Sequence, residues 1–230
     1  MRQIKLLTQI LLICLLSSCM SEKANNGPLR DDTLKWGGKH FQGIDLSHRN
    51  RITDFERLKR WDFIYHKASE GGKYKDPTFK TRIREFAKLD IKFGAYHTFT
   101  TTSSAKEQFE NFESTGAFTC ELVPIINFET NKGNWSRDKV LRELQIFIYL
   151  CQSKYDIKPI ICSGKTYILK YDLYQFECPI RLVAIGDVAT VRCDIHQSTW
   201  VGTEGARGTI YYSECDTLFA NWTRHMNEGW

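Results

Sequence analysis

From residue 40 onward, short apolar runs alternate with amphipathic stretches, and no linker-like segment interrupts the series. Runs of four to six residues bounded by turn residues have the length of buried strands. They fall at 43–46, 63–67, 93–97, 123–128, 159–162, 182–185, 194–197 and 209–213. Between the early runs lie helical patterns: Phe79, Ile83, Phe86 and Ala87 share one face, and Val140, Leu144, Phe147, Ile148 and Cys151 share another. Residues 54–60 and 104–114 are shorter, more polar helical candidates. Strand-helix alternation over the first five strands requires parallel pairing with helical crossovers. After Leu182 the spacing shortens and clear helices vanish. The predicted fold is α/β: an irregular TIM-like barrel of about eight strands, with helices mainly after the first five.

The N-terminus departs from this pattern. Arg2 and Lys5 precede the apolar stretch 10–16, which runs into Ser17-Ser18-Cys19. Lys5, Thr8 and Gln9 keep the run well short of the roughly 18–20 apolar residues that span a bilayer. Residues 1–18 are therefore expected to be a secretory signal peptide. Leu16-Ser17-Ser18-Cys19 resembles a bacterial lipobox, in which the cysteine is acylated, and acyl chains on Cys19 would hold the protein to a membrane. Residues 20–39 carry Asn25-Asn26-Gly27-Pro28 and Gly37-Gly38 with little to bury, and read as a tether. The expected organisation is a lipoprotein signal peptide over 1–18, lipidated Cys19 and tether over 19–39, and one barrel domain over 40–230.

Composition changes this picture in two places. The chain of 230 residues carries 32 Lys plus Arg against 27 Asp plus Glu, a net +5. Without residues 1–39 the balance falls to 26 against 24, or +2, too slight and dispersed for a nucleic-acid binder. Of eight cysteines, Cys14 leaves with the signal and Cys19 is the lipid site. Cys120, Cys151, Cys162, Cys178, Cys193 and Cys215 remain, an even number for an oxidising compartment. Several sit in apolar segments, so mostly buried thiols are expected, with one or two bridges left open. No His, Asp, Glu and Cys grouping has metal-ligand spacing, and neither a phosphate loop nor a nucleophilic serine motif occurs. Neither a metal nor a cofactor is expected.

Barrel chemistry sits at the C-terminal ends of the strands. Asp45 ends the first predicted strand, Lys67 and Glu70 the second, Tyr96 and His97 the third, Asn127 and Glu129 the fourth, Gln197 the seventh, and Glu214 or Asp216 the eighth. Glu129 is the best proton donor, since it follows Phe128 where partial burial is expected; its competing role is an ion pair with Lys67 or Arg137. Asp45 suits substrate positioning, charge stabilisation or capping of its loop through Ser47 and His48. Asn127 cannot act as nucleophile or take a proton at neutral pH, although its amide can hydrogen-bond. No chemistry is assigned to His48, His66 or His196. Tyr65, Tyr96, Phe99, Trp135, Trp200, Tyr211 and Tyr212 are expected as core more than as exposed stacking surfaces.

These motifs, in this order, resemble the family 25 glycoside hydrolases, the N-acetylmuramidase lysozymes. The resemblance runs through Gly43-Ile-Asp-Leu-Ser-His48, Phe63-Ile-Tyr-His-Lys-Ala-Ser-Glu-Gly71, Asp76-Pro77-x-Phe79, Gly94-Ala-Tyr-His97, the helix with Gln108, Pro124-Ile-Ile-Asn-Phe-Glu129 and Lys158-Pro-Ile-Ile161, over residues 42–222. It implies cleavage of the β-1,4 bond between N-acetylmuramic acid and N-acetylglucosamine in peptidoglycan. Glu129 would be the acid/base, with Asp45 and Asn127 as electrostatic and orienting partners. Lys67, Glu70, Tyr96, His97, Gln197, Glu214 and Asp216 would line the substrate. The expected partners are peptidoglycan or a related acetamido-sugar polymer and, through the anchor, the membrane of a bacterial cell envelope, with no nucleic acid and the chain a monomer.

The chain departs from the family pattern at several strand ends. Asn127 stands where the family has Asp, His196-Gln197-Ser198 where it usually has Trp-Gln-Tyr, Val183 where a Trp is expected, and Glu214-Cys215-Asp216 where it closes with Asp-x-Asn. An amide two residues before the acid suits substrate-assisted cleavage, in which the sugar's own 2-acetamido oxygen attacks. The alternative expectation is a catalytically inactive glycan-binding lipoprotein on the same fold.

Overall fold

The computed structural model describes residues 41–184, 191–200 and 205–216. The predicted signal peptide, Cys19 and the tether lie outside them. Among the described residues no helix is long and apolar enough to cross a membrane.

Eight strands close into a barrel: β1 (Phe41–Leu46), β2 (Phe63–Glu70), β3 (Phe93–Thr98), β4 (Ile125–Asn127), β5 (Ile160–Gly164), β6 (Ile180–Val183), β7 (Ile195–Trp200) and β8 (Tyr211–Cys215). β1 to β7 pair in parallel and in chain order. β8 inserts antiparallel between β7 and β1 and closes the ring. Helices α1 (Phe79–Lys88), α2 (Ala105–Glu113), α3 (Arg137–Tyr155) and α4 (Lys165–Tyr171) follow β2 to β5, and a single-turn helix, Glu56–Arg60, follows β1. Every predicted strand is present, the sixth and eighth displaced along the chain by two residues. Helix α4 stands where the prediction expects a helix after the fifth strand, but the sequence pattern does not locate its residues: it is seven residues long and carries Thr166, Tyr167 and Ile168, residue types with weak helix preference.

Alternation along the strands divides the core. Outward residues such as Ile44, Ile64, Ala95, Ile126, Phe128 and Leu182 pack beneath the helices with Phe86, Phe112, Phe147 and Ile148. Inward residues near the N-terminal end of the barrel, Phe63, Ile125, Ile160 and Ile195 with Tyr65 and Cys215, form a second apolar cluster that plugs it. Burial of each such aromatic or aliphatic side chain contributes about 1.5–3 kcal/mol. Gly43 and Gly94 make room for the plug, since a Cβ would fall 2.2 Å from the Phe63 ring at Gly43 and 2.3 Å from the Tyr65 ring at Gly94. The six cysteines from Cys120 to Cys215 are free thiols, all buried except the half-buried Cys193.

Local chemistry fixes the helices that carry the mouth loops. Ser104 and Glu107 form a reciprocal capping box at the start of α2, and Ser136 caps α3 by accepting from the Lys139 N–H. In β2 a bulge at Ala68 sets Lys67 opposite Tyr96 and Ser69 opposite His97 on β3.

Candidate active site

β4 carries the proposed acid. Ile126 and Phe128 face the helices, the latter under Tyr167 and Tyr171, so Asn127 and Glu129 share the inward face by alternation. Asn127 lies between Thr98 on β3 and Cys162 on β5. Its Oδ1 is buried with no hydrogen-bond partner among the described residues. Glu129 is exposed at the open end of the barrel, which corrects the expectation of partial burial: the bulk of Phe128 goes outward and covers nothing on the inner side. The two competing partners of Glu129 are engaged elsewhere. Lys67 pairs with Glu70 at 2.5 Å, and Arg137 donates to the Lys170 carbonyl.

Asp45 on β1 lies beside Tyr65 and Tyr211 and is only 13% exposed. Its Oδ2 sits 2.8 Å from Nη2 of Arg181. Burial raises the Asp45 carboxyl above its usual range, a rise that the guanidinium partly offsets, and Asp45 in turn holds Arg181 protonated. The expected loop-capping role is absent, since it is Asn50 Oδ1 that accepts from the Ser47 N–H. Arg181 also reaches Gln197 Oε1 at 3.0 Å and Ser213 Oγ at 2.6 Å, and lies over the Tyr65 ring. Gln197 is thus buried in the barrel as part of this network. Tyr96, half-buried, packs against the inner cluster, and burial together with Asp45 raises its phenol well above the usual range.

Glu70 and Lys67 meet at the rim, with the Lys67 ammonium 5.6 Å from the centre of the Tyr74 ring. The bulge in β2 explains the pairing, because the extra residue turns Glu70 back to the side of Lys67.

Three predicted lining residues lie elsewhere. His97 faces outward: its ring stacks on Phe147, with Nδ1 2.8 Å from Ser69 Oγ and Nε2 3.2 Å from Gln108 Oε1. Burial lowers it to about 3, so it is a neutral core histidine. Glu214 and Asp216 lie at the opposite end of the barrel, because β8 runs antiparallel and Cys215 pairs with Phe41. Tyr211 occupies the mouth in their place, opposite Asp45, and its phenol is raised by burial and by Glu129 and Asp45.

Sequence reasoning missed Arg181. The signal was available: in Ile180-Arg181-Leu182-Val183 the apolar residues at 180 and 182 face the helices, which leaves the arginine for the interior.

Asp45, Asn127 and Glu129 gather at the C-terminal mouth of the barrel, the end at which barrel enzymes carry their chemistry. Residues 44–182 match the family model for glycosyl hydrolases family 25, and the chain belongs to that family. The solved structures it resembles include a bacterial lysozyme from Streptomyces coelicolor, with TM-score 0.71 and 20% identity over 80% of this chain and 94% of that one. A family 25 glycosyl hydrolase from Bacillus anthracis superposes with TM-score 0.65 and 24% identity over 77% and 89% of the two chains. For a muramidase from Acremonium alcalophilum the TM-score is 0.68, with 21% identity over 81% and 98%. Among curated sequences, the uncharacterized protein YegX of Escherichia coli K12 is 27% identical over 134 residues, 55% of this chain and 49% of that protein. The chain spans about half the length of the curated relatives it matches.

Proposed function

We propose that this protein is a muramidase-type glycoside hydrolase that cleaves the β-1,4 bond between N-acetylmuramic acid and N-acetylglucosamine in peptidoglycan. It acts as a lipoprotein of the bacterial cell envelope, anchored through Cys19. The observation that carries the reading is the condition of the three mouth carboxyls. Asp45 and Glu70 are each ion-paired, while Glu129 is exposed and makes no ion pair among the described residues. A proton donor must be able to reach the substrate and must not be locked in an ion pair, and Glu129 meets both conditions among the described residues.

In the proposed reaction Glu129 protonates the glycosidic oxygen as the bond from the anomeric carbon breaks. The 2-acetamido oxygen of the same sugar bonds to that carbon, Asn127 orients the acetamido group, and Asp45 stabilises the positive charge. Water then opens the cyclic intermediate, with Glu129 taking back a proton. The family membership and the lysozyme structures support the substrate class.

One observation favours a second reading, a glycan-binding protein without activity: Asp45 is neutralised by Arg181 and leaves Glu129 without a second free carboxylate. One experiment separates the two. The purified domain and its Glu129→Gln variant are incubated with peptidoglycan, and new reducing ends and pelleting with the insoluble wall are measured. Release by the wild type alone supports the enzyme; pelleting without release by either supports the binder.

A further inference from the structure

Arg181 is among the largest fully buried side chains of the described residues, at 1% exposure. A buried charge costs several kcal/mol unless it is paired and its donors are used. Here only one end of the guanidinium is used. Nη2 lies within 3.0 Å of Asp45 Oδ2, Gln197 Oε1 and Ser213 Oγ, which share its two hydrogens, whereas Nε has no partner among the described residues. The carboxylate is divided in the same way, with Oδ2 engaged and Oδ1 buried and unpartnered. A cation placed only to hold strands together would be satisfied along its whole fork. Asp45 Oδ1, Asn127 Oδ1 and Arg181 Nε, from β1, β4 and β6, are buried polar atoms with no hydrogen-bond partner among the described residues.

We infer that Arg181 is a positioning residue for Asp45: it engages one carboxylate oxygen, keeps the group ionised inside the barrel, and leaves Oδ1 as an acceptor for a substrate N–H. The substrate half of this inference rests on the proposed function; the charge half does not. Without the guanidinium, a carboxyl this deeply buried favours its neutral form, which would offer the substrate a hydroxyl in place of an anion. The titratable groups around the pair are Tyr65 from β2, Tyr96 from β3, Cys162 from β5 and Tyr211 and Cys215 from β8, with Glu129 beyond β4 acting on Cys162 and Tyr211. Asp76 also acts on Tyr96, so Glu129 and Asp76 are the other carboxyls in that set.

The test follows the Asp45 carboxyl by 13C NMR across pH in the full chain, with Asp45→Asn identifying its resonance. Arg181→Gln removes the charge but keeps a hydrogen-bonding side chain for Gln197 and Ser213; Arg181→Lys keeps the charge. The titration midpoint of Asp45 is expected to rise by at least one pH unit in Arg181→Gln and to stay near wild type in Arg181→Lys. Equal midpoints in Arg181→Gln and wild type overturn the inference. If Arg181→Gln does not fold, Arg181→Lys decides: a folded variant with Asp45 ionised at neutral pH supports it, and one with Asp45 protonated overturns it. In parallel, the acid limb of wall hydrolysis should move upward in Arg181→Gln and stay in place when Asp45 is already Asn. Absence of hydrolysis in the wild type sinks the muramidase reading alone, because the NMR titration needs no turnover.

Discussion

Gly133 and Thr101 are in backbone contact across the barrel mouth. A Cβ on Gly133 would fall 1.8 Å from the Thr101 carbonyl oxygen, and the Gly133 N–H donates to Thr101 Oγ1 at 2.8 Å. The loop that leaves Glu129 is therefore pinned to the loop that leaves β3. Gly133→Ala should force the two apart, costing about 1–3 kcal/mol by the usual penalty for overpacking, and should reduce wall hydrolysis at least tenfold. Thermal melts and reducing-end assays check this together; wild-type values in both would mean that the loops have slack.

Asn127 is isosteric with the aspartate expected there from the family resemblance, and its Oδ1 has no partner among the described residues to lose. Asn127→Asp is expected to keep or raise wall hydrolysis. Asn127→Ala, which removes the amide proposed to orient the substrate, should lower it at least tenfold with little change in melting temperature. If the alanine variant keeps full activity, the orienting role is wrong.

Two buried histidines set the acid limit of the fold. Burial lowers His66 to about 4 and His97 to about 3, whereas both titrate near 6.5 in an unfolded chain. As pH falls below 6.5 the unfolded chain takes up protons that the folded one refuses. The stabilisation is therefore full above 6.5 and is lost on acidification at up to about 1.4 kcal/mol per pH unit for each histidine. Urea midpoints at pH 7, 5.5 and 4.5 should fall in sequence, and His97→Gln should flatten the decline. A pH-independent midpoint over this range would contradict the burial of both rings.

The cap of α2 is a local test. Ser104→Ala removes the acceptor for the Glu107 N–H and half of the reciprocal pair, a loss of about 1 kcal/mol. Ser104→Asp, another good cap, should recover most of it in the same denaturation curves.

The barrel was legible in the sequence because apolar runs of strand length recur at barrel spacing, and that signal depends only on the local chain. Strand direction is not encoded there: an antiparallel β8 shows the same inward and outward alternation as a parallel one. The positions of Glu214 and Asp216 therefore could not be read from periodicity. The error over His97 was avoidable, since Tyr96 and His97 are neighbours in one strand and only one can face the interior. Asp45, Asn127 and Glu129 were legible as strand-end residues. Their electrostatic condition was not, because the partner of Asp45 lies on β6, far along the chain.

The antiparallel last strand also bears on synthesis. β1 emerges from the ribosome first and finds β2 soon after, but its other edge is covered only by Tyr211–Cys215. Until those residues appear, β1 and β7 each present an open row of backbone donors and acceptors, the kind of edge on which chains mispair. The molecule cannot close as it is made. Translation stopped shortly before Tyr211 would yield a chain with most of its core residues and two sticky edges, so a small C-terminal deletion should cost more in aggregation than in the number of contacts removed.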